Sequence, residues 1–204
     1  MDTKTYERIS YGLFVLTASK GGKDNGCIIN TVTQVASNPD MIAISVNKAN
    51  LTCEMIKKTG TFTVSVISTD ADFELFKHFG FQSGRDVDKF AGYENARRAE
   101  SGEMIVTKGT NAYISAYVKE VVELPSHVVF IARVTEAEIL SDVPSATYAY
   151  YHANIKPKKQ SAPADEKKTV WRCKICGYEY EGEELPADYI CPLCKHPASD
   201  FEKV

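Results

Sequence analysis

Four cysteines near the end of this 204-residue chain, Cys173, Cys176, Cys191 and Cys194, form two C-x2-C pairs with 14 residues between them. A C-x2-C folds as a tight turn that aims both sulfurs at one point. Two such turns facing each other make a tetrahedral set of four thiolates, a site for iron or zinc. The segment carrying them, residues 170–204, is too short to bury a sufficient apolar core, so a metal is expected to staple it. Spacing alone leaves a redox-active iron and a redox-inert zinc ribbon both open. Disulfides are the weaker alternative, because paired C-x2-C turns are a metal pattern in intracellular chains.

The neighbours of the thiols add detail. Gly177 follows the first turn, where a left-handed backbone lets amide N–H groups point at sulfur, one of the levers on an iron–sulfur potential. Trp171, Tyr178, Tyr180, Tyr189 and Phe201 supply aromatic mass for a very small core. In Trp171-Arg172-Cys173, Cys176-Gly177-Tyr178-Glu179-Tyr180 and Asp188-Tyr189-Ile190-Cys191-Pro192-Leu193-Cys194 the stretch resembles rubredoxin. That resemblance implies one iron held by four cysteinates, alternating between ferric and ferrous as a one-electron carrier. Two features differ from free-standing rubredoxins: a shorter loop between the turns, and Lys195 where a second glycine usually stands. A lysine enters a left-handed turn only at some cost.

A second set of polar residues lies far upstream. Asn30, Thr31, Val32, Thr33 and Gln34 read as a polar segment on a barrel strand, and Asn47-Lys48-Ala49-Asn50-Leu51-Thr52 as the end of the next strand running into a helix. Threonines and asparagines on a solvent-facing strand would account for either stretch alone. Together they offer hydrogen-bond donors, one cation and a helix N-terminus, which is what a flavin ring and its phosphate require. There is no G-x-G-x-x-G at a strand–helix junction and no G-K-[ST] loop, so a nucleotide here would not bind in the Rossmann manner.

The elements that must position these groups read as mainly β. Tyr11–Ser19 is an apolar, β-branched strand, followed by hairpin chemistry over residues 20–26 and a return strand over about 27–36. Residues 41–47 alternate Met, Ala or Ser with Ile or Val. Asn50 can cap a helix over Leu51–Lys58 that stops at Gly60, and Thr61–Ile67 is a further strand. Asp70 or Asp72 can cap a second helix through Phe79. Long β patterns cover 111–124 and 127–140, and a short strand or helix covers 146–152. Many strands with few helices favour a β-barrel over a doubly wound sheet. The expected domains are residues 1–155, a Lys/Pro/Ala linker at 156–169 and the cysteine domain at 170–204.

In order, YGLFVLTA, the hairpin, NTVTQVASNPDMIAISVNKAN and FGFQSGRDVDKFAGY resemble the flavin reductase-like family over roughly residues 3–155. The resemblance implies an FMN-binding split β-barrel, FMN at a homodimer interface and hydride from NAD(P)H. Carried over residue by residue, Asn30, Thr31, Val32, Thr33 and Gln34 would line the flavin ring. Asn47, Lys48, Asn50 and Thr52 would face its ribityl–phosphate end. Ser83, Gly84, Arg85 and Lys89 match a loop that helps hold phosphate or ring, and Tyr151 and His152 would border the cofactor. His127 would stand where nicotinamide stacks on the flavin, as the catalytic candidate, although Pro125-Ser126 replaces the family's usual Gly-Asp. Cys27 and Cys53 lack a C-x2-C partner and read as small core residues.

A formal net charge of −3 gives no electrostatic support for nucleic-acid binding. No run of about 18 apolar residues could span a membrane. The opening MDTKTYERISYG lacks a basic segment followed by an apolar one, and four reduced thiolates suit the cytoplasm. The two halves together resemble the high-molecular-weight rubredoxins, flavin reductase–rubredoxin fusions. That implies electron flow from NAD(P)H through FMN and iron to an external acceptor, typically a flavodiiron protein that reduces oxygen or nitric oxide. Two other readings stay open: a free-flavin reductase with a zinc docking ribbon, and a pure carrier reduced by a separate oxidoreductase.

Overall fold

The structure, a computed structural model, describes residues 2–157, 169–192 and 194–204. Its chain forms two compact units, Met1–Lys156 and Pro157–Val204. Most of the expected linker, residues 158–168, lies outside the described residues, as does Leu193.

In the first unit, strands β1 (Phe14–Lys20), β2 (Lys23–Ile29), β3 (Val32–Ser37), β4 (Asp40–Asn47), β5 (Thr61–Ile67), β8 (Thr110–Glu123) and β9 (His127–Ile139) make one antiparallel sheet. Its order is β2-β1-β5-β8-β9-β4-β3. Laid flat, the sheet would hold its edges about 29 Å apart, six spacings of about 4.8 Å. Yet the edge strands β2 and β3 are joined only through Asn30 and Thr31, a link that reaches no more than about 11 Å. The sheet must therefore curl until its edges meet. It stays split there: no ladder joins β2 to β3 among the described residues, and Thr31 instead bonds to β4, with its Oγ1 donating to the Ser45 carbonyl at 2.7 Å. The split β-barrel expected from the sequence is thus the observed architecture.

The first hairpin differs from expectation. Its turn is only Gly21-Gly22, with φ of 58° and 80°, and Lys20 pairs with Lys23. Two successive left-handed glycines close a two-residue turn that matches strand twist. Asp24, Asn25 and Gly26 therefore lie in β2, and the return strand starts earlier and ends at Ile29, before Asn30-Thr31.

Helix α1 (Leu51–Thr59) starts at Asn50 and ends at Gly60, whose φ of 75° lets its N–H reach the Ile56 carbonyl at 2.8 Å. Helix α2 (Phe73–Gly80) is capped by Asp72, which accepts from the Leu75 amide at 3.0 Å. A small hairpin of β6 (Ala96–Arg98) and β7 (Met104–Val106) follows, and after β9 a helical turn at Tyr148–Tyr150 runs into a π-turn at Tyr151–Ile155. Strand β1 serves two cores. Leu16 faces the barrel interior with Ile44, Val46, Phe62, Phe130 and the Ile56 of α1. Val15 faces outward under α2 with Leu75, Phe76, Phe79 and Tyr151.

The second unit is a three-stranded sheet in the order β11 (Glu179–Glu181), β10 (Val170–Cys173), β12 (Phe201–Lys203). Tyr189 packs between Tyr180 and Phe201, with ring centroids at 4.6 and 5.4 Å, and the indole N–H of Trp171 donates to the Gly182 carbonyl at 3.2 Å. Little else is buried besides three of the four cysteines, so this small core leaves the metal site as its main staple.

Candidate flavin and metal sites

Strand β4 explains where a planar ligand could lie. Ile42, Ile44 and Val46 point into the barrel core, which leaves Ala43, Ser45 and Asn47 on the other face. With small side chains there, two cavities open beside the seam. One of about 370 Å³ is walled by Ser10–Gly12, Asn30, Thr31, Val32, Thr33, Ala43 and Ser45. The other, of about 430 Å³, is walled by Asn30, Thr31, Ser45, Asn47, Asn50, Leu124, Pro125, Ser126 and His127. They share Asn30, Thr31 and Ser45, and no charged side chain lines either one.

The first five expected ring residues therefore divide. Asn30, Thr31, Val32 and Thr33 come together on one wall, but Gln34 does not, its amide donating to the Ala36 carbonyl at 3.3 Å. Asn47 and Asn50 reach the second cavity, where Asn47 pairs across the sheet with His127. Ser126 Oγ lies 2.9 Å from His127 Nδ1, and both residues line that cavity. Asn50 starts α1 without capping it by its side chain, so the first amides of the helix keep their donor capacity. Lys48 lines neither cavity: its amide donates to the Ser126 carbonyl at 3.0 Å, and its ammonium bonds Glu123 at 2.9 Å.

Thr52 and the 83–85 loop form a second cluster around the first turns of α1. Thr52 is fully buried and accepts from Asn25 Nδ2 at 2.9 Å. Asn25 Oδ1 is buried with no hydrogen-bond partner, and Gly84 packs against it. Ser83 Oγ accepts from the Arg85 amide at 3.1 Å, and the Arg85 guanidinium bonds Glu54, holding that carboxyl below its usual range. Arg85 thus anchors the loop on α1 through a carboxylate.

Three expected residues sit elsewhere. Lys89 is 3 % exposed, and its ammonium donates to the Gly26 and Phe79 carbonyls at 2.8 and 2.9 Å. Burial lowers its pKa, and its position ties β2 to the end of α2 instead of reaching either cavity. Tyr151 packs on Phe76 at 4.4 Å in the outer core, and His152 stands edge-on to Tyr148 at 4.5 Å. Cys27 is a buried thiol as expected, its pKa pushed up by burial and eased by hydrogen bonds from Thr52 and Asn50. Sequence reasoning missed Ser45, Tyr11 and Asn25. The alternation of small and large residues along β4 could have signalled Ser45.

The four thiols converge. Their sulfurs all lie within 4.8 Å of one another, with Cys173–Cys194 at 3.6 Å and Cys176–Cys191 at 3.5 Å. A tetrahedron with metal–sulfur bonds of about 2.3 Å has edges of about 3.8 Å, so the donor set fits one metal ion. Gly177 has φ of 70°, and the following Tyr178 amide hydrogen-bonds the Cys176 sulfur, while the His196 amide does the same for Cys194. Burial raises the pKa of Cys176 and Cys194 as thiols. Four sulfurs this close, three of them buried, ionise together only around a cation.

These features define a flavin-binding split barrel joined to a mononuclear four-cysteine metal domain. Residues 6–159 match the family described as "Flavin reductase like domain", and residues 171–202 match "Rubrerythrin, rubredoxin-like domain". A high molecular weight rubredoxin of Moorella thermoacetica is 37% identical, with 100% of each chain covered. A ferric-chelate reductase (NAD(P)H) of Archaeoglobus fulgidus is 36% identical over 78% of this chain and 93% of its own. Flavoredoxin from Methanosarcina acetivorans aligns with a TM-score of 0.57 at 26% identity, covering 63% of this chain and 68% of its own. The chain belongs to the flavin reductase-like family and, taken whole, to the high-molecular-weight rubredoxins. It is an oxidoreductase of flavin-linked electron transfer, with FMN and one iron on the four cysteines as its cofactors. No helix among the described residues is long and apolar enough to cross a membrane.

Proposed function

We propose that the chain is an NAD(P)H-oxidising electron-transfer protein that works by way of FMN and a mononuclear Fe(Cys)4 centre and delivers electrons to an external acceptor. The observation that carries this reading is the presence, in one chain, of an uncharged cavity at the barrel seam and a four-sulfur site of metal dimensions. When bound, FMN exchanges two electrons with a nicotinamide and single electrons with iron.

The residues divide that work. Asn30, Thr31, Val32, Thr33 and Ser45 bound the ring space, and Asn47, Asn50 and the head of α1 offer donors to the phosphate end. Loop 83–85, pinned on α1 by Arg85, holds Thr52 and Asn25 in place behind that end. His127, oriented by Ser126, stands at the cavity mouth as the group nearest an incoming nicotinamide. In the second unit, Cys173, Cys176, Cys191 and Cys194 hold iron, and the Tyr178 and His196 amides stabilise the sulfur charge.

A homodimer completes this reading. Val35 on the edge strand β3, Val121 and Val122 at the far end of β8 and Leu124 just beyond it are each more than two-fifths exposed, an apolar surface for a second copy beside the seam. A flavodiiron protein in the cytoplasm is the acceptor that this family membership favours.

The test is the absorption spectrum of the anaerobically purified protein after air oxidation, then after NADH. Bleaching of both flavin and thiolate-to-iron bands by NADH alone is the expected result. Bands that stay unbleached until another reductase is added would make the protein a carrier. Cys191→Ser should abolish delivery to the acceptor while FMN stays bound, and unchanged delivery would refute the iron's place in the route.

A further inference from the structure

We propose that the iron-bearing face of the second unit is a cationic docking surface for an acidic redox partner, opposite in sign to the unit's own net charge. Residues 170–204 hold four Lys or Arg against seven Asp or Glu. Two of the four cations are engaged elsewhere. Arg172 bonds Glu179 at 3.1 Å, and Lys203 lies over the Trp171 ring at 6.0 Å. The other two, Lys174 and Lys195, belong to the two metal-binding turns, residues 173–178 and 191–196, which contain no carboxylate.

Their placement follows from the ligand geometry. Lys174 follows Cys173 and Lys195 follows Cys194, and those two sulfurs are 3.6 Å apart. Both lysines are exposed, and neither has a carboxylate partner among the described residues. Cys194 is also the one ligand of the four that is not buried. Beside the cations stand Ile175 and Ile190, 44% and 51% exposed, so the face joins apolar contact area to positive charge. Lys195 occupies a left-handed position, φ 62°, that favours glycine, so the cation is held where the backbone would select against it. Exposed cations beside exposed isoleucines complement an external protein surface with an apolar centre and an acidic rim. One electron passes from ferrous iron by way of the Cys194 sulfur to that acceptor, with no bond made and no proton moved.

This inference rests on the iron reading of the second unit and not on the nicotinamide chemistry of the first. Its test uses the full-length reduced protein, with reoxidation followed at the thiolate-to-iron absorption in a stopped flow. Hexacyanoferrate(III) serves as the anionic one-electron oxidant and tris(phenanthroline)cobalt(III) as the cationic one. With a cationic exit, added salt slows the anion and speeds the cation, despite the chain's net charge of −3. Lys174→Gln combined with Lys195→Gly should slow the anion at low salt by about tenfold and flatten its salt dependence. An anion rate that rises with salt in the unaltered protein would overturn the proposal without recourse to any variant. So would a double variant that retains iron and the original salt dependence. Absence of the iron absorption would overturn the electron-transfer reading and this inference together, whereas a ferrous centre indifferent to oxidant charge would overturn this inference alone.

Discussion

Lys195 offers a quantitative test of the metal turns. The two turns are near copies: the Gly177 amide bonds the Cys173 carbonyl at 2.8 Å, and the Lys195 amide bonds the Cys191 carbonyl at 2.9 Å. The Cys173 amide reaches the Tyr178 carbonyl at 2.7 Å, and the Cys191 amide reaches that of His196 at 2.8 Å. Gly177 and Lys195 hold equivalent left-handed positions, φ 70° and 62°. A side chain there costs about 1–2 kcal/mol, and a glycine returns about 0.5–1 kcal/mol to the unfolded chain. Lys195→Gly should therefore stabilise the second unit by about 0.5–1 kcal/mol, whereas Lys195→Ala keeps the left-handed strain and gains nothing. Gly177→Ala should cost about as much as Lys195→Gly gains, because the turns are equivalent. Trp171 is the only tryptophan in the chain, so its fluorescence reports unfolding of this unit alone. With a urea dependence of about 1 kcal/mol per molar for so small a unit, the midpoint should rise by about 0.5–1 M. A Lys195→Gly midpoint no higher than that of Lys195→Ala would refute the reasoning.

Three further changes probe the first unit. Gly84→Ala would place a Cβ 2.0 Å from the buried Asn25 Oδ1, so thermal unfolding should show a loss of about 1–3 kcal/mol. Ser45→Leu fills the space that both cavities share; equilibrium dialysis should find FMN bound about ten- to hundredfold more weakly, with the far-UV circular dichroism unchanged. Lys89→Met tests the sign of a buried charge. The folded-state pKa of Lys89 is lowered by burial, so the native protein sheds this proton first and its stability contribution rises as pH climbs from that lowered pKa toward the unfolded value near about 10.4. Urea midpoints taken from neutral to alkaline pH should show that rise in the unaltered protein relative to Lys89→Met, and parallel curves would contradict it.

What could be read from the sequence, and what could not, follows from the range of the interactions involved. The metal site was legible because its ligands lie within one short segment and a C-x2-C turn aims its sulfurs locally. Even the left-handed cost at Lys195 was visible as a residue type standing where glycine belongs. Helices α1 and α2 were legible through Gly60 and Asp72, whose capping acts within a single turn, whereas Asn50 begins α1 without the side-chain cap expected of it. Lys89 was misplaced because nothing in its local sequence shows that the Gly26 and Phe79 carbonyls meet around it. Those carbonyls are 63 and 10 residues away, and only the packing of edge strand β2 against the end of α2 brings them together. Gln34 was misplaced because successive side chains of a strand face opposite sides, so Gln34, paired with Ile42, cannot share a wall with its neighbour Thr33, which pairs with Ala43. The seam itself was present in the sequence as a bare two-residue link between strands, Asn30-Thr31. Its meaning depends on strand order, because the same two residues between neighbouring strands would be a hairpin turn, whereas between the two edges of a seven-stranded sheet they force the curl that opens the cavities.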